Sequence, residues 1–133
     1  MVDGEFTDRN SGFSVVFDDD GRVAYAYLLD DHASLVADVW LYNRCETPVQ
    51  PEWTSPENMP FANSLAFSKS HAGFSVVGDI SDVSVRWTNG EIIEAQVLIR
   101  GELFARLVEG SKPGWCSMAK KDGPLAKVLM PEQ

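Results

Sequence analysis

The chain has 133 residues, 44% hydrophobic and 23% charged, with 20 acidic against 11 basic side chains and a formal net charge of −9. That length bounds one domain (1–133) with a core large enough to stand without metal or disulfide staples. The composition excludes intrinsic disorder, and the acidity argues against nucleic acid and anionic membrane as partners.

Residues 1–11 are polar and read as loose. The start, Met1-Val2-Asp3-Gly4-Glu5, has no apolar leader, which makes a cytoplasmic chain the expectation. The longest unbroken apolar run, Val23 to Leu29, is far too short to span a bilayer. Residues 12–17 alternate as a strand with Phe13, Val15 and Phe17 on one face. Asp18-Asp19-Asp20-Gly21 supplies a turn, 22–29 a second strand, Asp30-Asp31-His32 another turn, and 34–43 a long strand rich in β-branched and aromatic residues.

Residues 44–61 break the pattern with Pro48, Pro51, Pro56 and Pro60, a long loop that carries Trp53. Residues 62–67 read as a short strand. Gly73-Phe74-Ser75-Val76-Val77 then repeats Gly12-Phe13-Ser14-Val15-Val16 and reads as a strand. Residues 82–88 and 91–100 form strands around Asn89-Gly90, a strong hairpin signal. Residues 102–109 fit either a helical face or a further strand. A second irregular loop holds Pro113-Gly114-Trp115 and Gly123-Pro124 before a last strand at 125–130.

The pentapeptide repeat extends in order. Val23, Tyr25 and Tyr27 align with Val83, Val85 and Trp87, and Leu35, Ala37, Val39 and Leu41 with Ile93, Ala95, Val97 and Ile99. The fold expected is an all-β antiparallel barrel or sandwich of about eight strands, built from two duplicated meanders spanning about 12–68 and 73–130. The aligned apolar positions, with Phe13, Val15, Phe74 and Val76, are expected to face a shared core. On the opposite face the second half reads polar, Ser84, Arg86, Thr88, Glu94, Gln96 and Arg100, with Ile92 and Leu98 as exceptions. The first half reads Ala24, Ala26, Leu28, Val36, Asp38, Trp40 and Tyr42, mostly apolar, so something must cover it. The candidates are segment 102–109, loop 44–61, or a second subunit or partner.

No catalytic or cofactor motif stands out. Asp18-Asp19-Asp20 lacks the spacing of a calcium loop, and the second strand keeps it apart from Asp30, Asp31 and His32, so no metal is expected. His32 and His71 have no nucleophile pattern beside them, and Cys45 and Cys116 read as reduced thiols. The leading expectation is a non-enzymatic, acidic interaction protein of inhibitor, immunity or adaptor type. It would act as a homodimer or with a protein partner through Ala24, Leu28, Val36, Trp40 and Tyr42. The alternative is a small-molecule-binding β-barrel lined by Tyr25, Tyr27, Trp53, Trp87 and Trp115, with carboxylates such as Asp38 or Glu94 as acid or base if desolvated.

Overall fold

Residues 1–70 and 74–130 are described by the computed structural model, and they build two β-sheets with almost no helix. The first sheet contains β1 (Val2–Thr7), β2 (Ser14–Asp19), β3 (Val23–Leu29) and β4 (Leu35–Asn43), side by side in chain order. The second contains β5 (Val83–Asn89), β6 (Ile93–Ile99), β7 (Glu102–Val108), β8 (Trp115–Cys116) and β9 (Lys127–Val128). The sheets do not close into a barrel; the arrangement is sandwich-like. Among the described residues no helix is long and apolar enough to cross a membrane.

Several elements differ from expectation. Residues 2–7, read as loose, form an edge strand, because Val2, Gly4 and Phe6 alternate inward against β2. Residues 62–67 hold a 3-10 turn, Leu65–Phe67, rather than a strand. Residues 74–77 form no strand, although the same residue types do so in the first copy; Gly73 and His71 lie outside the described residues. Segment 102–109 resolves to β7. Arg100 and Gly101 both take positive φ, 51° and 81°, between the paired residues Ile99 and Glu102. That two-residue turn matches strand twist and returns the chain as a hairpin. Of the last strand only Lys127–Val128 forms. It runs parallel to β8, because the excursion through residues 117–126 brings the chain back in the same direction.

Cross-strand register decides which face is core. Val15 sits opposite Leu28, Phe17 opposite Ala26, and Ala26 opposite Val39. The even-numbered residues of β3 therefore share the inter-sheet face with Phe13, Val15 and Phe17. Tyr25 and Tyr27, expected on that face, lie on the other one. Bulges in β4 shift the pairing between Ala24/Tyr25 and between Leu28/Leu29, placing Tyr42 opposite Ala24. The Tyr42 ring meets Phe104 of the second sheet edge-on at 6.4 Å. Ala24, Leu28 and Tyr42, expected on a spare outer face, are thus fully buried between the sheets. In the second sheet the inward row is as expected: Val83, Ala95, Val97 and Ile99 are buried, and Val85, Trp87 and Ile93 pack partly buried against them.

The outer edge of β4 is not open. Gly110 donates to the Val36 carbonyl (2.9 Å), Asp38 N–H to Ser111 (3.2 Å), Gly114 to the Asp38 carbonyl (2.7 Å), and Trp40 N–H to Leu125 (2.9 Å). The second irregular loop therefore knits the two sheets together along one side and satisfies backbone groups that an edge would expose.

Candidate ligand-binding cleft

The second face of β3–β4 carries one row of chemistry-bearing side chains. Tyr27 sits opposite Asp38, Tyr25 opposite Trp40, and Asp18 of β2 opposite Tyr25. Tyr25 and Tyr27, two apart on one strand, point the same way. Their rings lie nearly parallel, 10° between planes and 5.9 Å between centroids.

Two loops cover this row. The proline-rich loop is tied down by specific contacts. Asn43 Nδ2 donates to the Asn63 carbonyl (2.9 Å), and Asn63 N–H returns to Asn43 Oδ1 (3.0 Å). Tyr25 Oη donates to the Phe61 carbonyl (2.6 Å), and the Arg22 guanidinium to the Pro60 carbonyl (3.1 Å). Arg22 also pairs with Glu52, whose other carboxylate oxygen accepts from Ala62 N–H (2.9 Å). Burial pulls the Glu52 carboxyl up, but Arg22 and the Ala62 N–H outweigh it and hold it below its usual range. The second irregular loop contributes Pro124 and Leu125. Between the loops lies a cavity of about 220 Å³ lined by Tyr25, Tyr27, Asp38, Met59, Pro60, Phe61, Pro124 and Leu125.

Asp38 is the charged side chain in this lining. It is half-buried, and among the described residues its carboxylate has no hydrogen-bond donor and no ion pair. Burial pushes its carboxyl up, and the Lys112 charge pulls the other way. Burial, then the charges of Asp18, Asp38 and Asp20, push the Tyr27 phenol up to about 12. Tyr25 is raised too, first by burial and then by Tyr27 and Asp38. Both tyrosines stay neutral at ordinary pH and present intact aromatic faces in a negative field.

The other expected binding residues are not gathered here. Trp53 packs edge-on against Phe67 at 5.3 Å. Trp87 is a half-buried member of the inter-sheet face. Trp115 lies on the outer face of the second sheet, with the Arg106 guanidinium 4.6 Å and the Lys127 ammonium 4.5 Å from its ring centroid. Among the expected interface residues, Trp40 is fully buried and donates its indole N–H to Asn43 Oδ1 (2.9 Å), while Val36 is half-buried at a bulge. The apolar second face is covered from within the chain, largely by loop 44–61 and its continuation to residue 64. Glu94 is occupied by Arg106 at 3.0 Å. Met59, Pro60, Phe61, Pro124 and Leu125 were missed by sequence reasoning. Their only signal was the proline content of two loops, which does not say which face a loop covers.

The acidic clusters act locally. Asp20 accepts from the Arg22 and Val23 N–H groups, and Asp30 from those of His32 and Ser34, closing their turns. Asp19 is buried and bonded to Tyr42 and Arg44. Asp30, Asp31 and His32 lie within ligand distance of one another, with Asp31 and His32 exposed. Cys45 and Cys116 are free thiols, and burial pushes that of Cys116 up to about 12. Comparison with protein-family models, with curated proteins and with solved structures found nothing that matches this chain.

Proposed function

We propose that this chain is a non-catalytic binding module whose ligand is a small molecule held in the cleft between the Tyr25–Tyr27 face and the two proline-bearing loops. The observation that carries this is the roofed aromatic pair: two stacked rings and a half-buried carboxylate in one concave, mostly apolar cavity. Small-molecule sites have this composition, apolar walls with few polar groups that fix orientation. The cavity is smaller than the roughly 300–1,000 Å³ of sites for drug-sized ligands, which favours a fragment-sized ligand. A backbone-resolved NMR titration with a fragment mixture tests it. Shifts centred on residues 25, 27, 38, 59–61 and 124–125 are expected. Shifts confined to Trp115 or to Phe74 and Phe104 would move the site elsewhere.

A protein partner is the second reading. Its support is the exposure of three apolar side chains within residues 44–68: Val49 at 70%, Met59 at 66% and Leu65 at 55%. Met59 belongs to both readings, since it also forms a lip of the cleft. Internal duplication is likewise part of the proposal. It is supported by the two hairpins β3–β4 and β5–β6 that carry the aligned blocks, and weakened by the opposite facing of Tyr25 and Tyr27 against Val85 and Trp87 and by the differing conformations of the repeated pentapeptide. A cytoplasmic location is kept on the two free thiols.

A further inference from the structure

We infer that the ligand of this cleft carries an alkylated ammonium group, held by the Asp38 carboxylate against the faces of Tyr25 and Tyr27. This rests on the reading of the cleft as a small-molecule site and names the chemical class of its ligand.

The first reason is the state of Asp38. Among the described residues Asp38 shares this state only with Asp18, which lies on the same sheet face; the other buried or half-buried carboxylates have partners, Asp8 in Ser11 and Asn89, Asp19 in Tyr42 and Arg44, Asp30 in the His32 and Ser34 N–H groups, Glu52 in Arg22 and Ala62, Asp82 in Arg100, and Glu94 in Arg106. Removing a carboxylate from water without a partner is unfavourable, so such a group marks a place where a partner arrives. Lys112 acts on it through space but forms no ion pair within 4 Å, and it is exposed.

The second reason is the field. Asp18 stands opposite Tyr25 on the same sheet face as Asp38, half-buried, its carboxyl pushed up by burial and then by Asp20. The tyrosine pair is therefore flanked by carboxylates from both neighbouring strands. Aromatic faces are themselves attractive to cations. Every charge directed at the rings from β2 and β4 favours a positive ligand, with Lys112 and Arg22 at the periphery opposing it.

The third reason separates an alkylated ammonium from a primary one. The Phe61 carbonyl already accepts from Tyr25 and the Pro60 carbonyl from Arg22, and Asp38 is the one charged acceptor of a mostly apolar lining. A primary ammonium brings three N–H donors, more than a single carboxylate aligned with the rings would meet. A trimethylated or otherwise alkylated nitrogen brings apolar methyl groups that suit Met59, Phe61, Pro124 and Leu125.

The test compares choline with 3,3-dimethylbutan-1-ol, which has the same shape with carbon in place of nitrogen, in NMR titrations at low ionic strength. Choline is expected to bind at the cleft at least tenfold more tightly than the alcohol. Asp38→Asn should remove that advantage while leaving the alcohol's weak binding unchanged. Tyr27→Leu, which keeps apolar bulk at a half-buried position, should weaken choline several-fold and the alcohol little. Equal affinities, or full choline binding by Asp38→Asn, would overturn the inference. If the alcohol or an apolar dye binds at the cleft and choline does not, the charge assignment fails and the cleft stands. If nothing binds there, both fail.

Discussion

Asp19 sits at zero exposure between the sheets, and its carboxylate is held by Tyr42 Oη and Arg44 Nε, each at 2.6 Å, with Gly21 N–H at 3.0 Å. Arg44 also reaches the Val77 carbonyl, which ties residues 74–78 to the first sheet although they form no strand. Removing one partner of a buried pair leaves the other charge uncompensated, at a cost of about 3–5 kcal/mol. Arg44→Ala is therefore expected to lose that much in urea denaturation. Asp38 works in the opposite sense. Burial raises its folded pKa, so as pH rises the unfolded chain releases this proton first and stability falls through the window from the ordinary carboxylate value up to the raised one. The penalty persists above that window. Asp38→Asn should raise the melting midpoint at pH 7, with the difference vanishing once the pH falls well below the ordinary carboxylate value, where Asp38 is protonated in both states. A stabilising substitution that removes ligand binding would mark Asp38 as kept for function.

At the scale of elements, the roof over the tyrosine pair is the informative part. It is irregular backbone, held by side chains rather than by a ladder. Asn43 is its central post, bonded to both Trp40 Nε1 and the backbone of Asn63. Asn43→Ala should cost about 1–3 kcal/mol, because buried donors and acceptors are left unmet. It should also speed limited proteolysis within residues 49–59, with binding at the cleft falling alongside. Unchanged proteolysis would show that Glu52 and Arg22 suffice to hold the loop. Gly114 shows how closely the second loop is fitted. A Cβ there would meet the Arg106 carbonyl oxygen at 2.5 Å, so backbone approaches backbone where the loop crosses from β7 to the edge of β4.

For the molecule as a whole, the cover that the chain itself provides over Trp40 changes what that residue means. Its ring is fully buried and its indole N–H is bonded within the chain. Trp40→Ala is expected to destabilise by about 3–5 kcal/mol, as large aromatic truncations in a core do. The solution mass, read by light scattering on the folded variant, should not change. A stable variant with altered mass would return Trp40 to an interface.

Much of the strand pattern was legible in the residues themselves. Period-two alternation placed β2 to β6 to within a few residues, prolines marked the long loop, and Asn89-Gly90 marked the β5–β6 hairpin. These are local properties, set by steric preference and by the pleat. Which face of β3 is buried was not legible, because parity within a strand does not say which parity of its neighbour lies opposite. Turn length and the two bulges of β4 decide that, and they put Ala24 and Leu28 inside and Tyr25, Tyr27 and Asp38 together outside. Nor could the sequence show that two irregular loops would roof that face, since their hold depends on contacts such as Asn43 with Asn63 and Trp40 with Leu125. The strands follow from neighbours along the chain; the cleft exists only where distant segments meet.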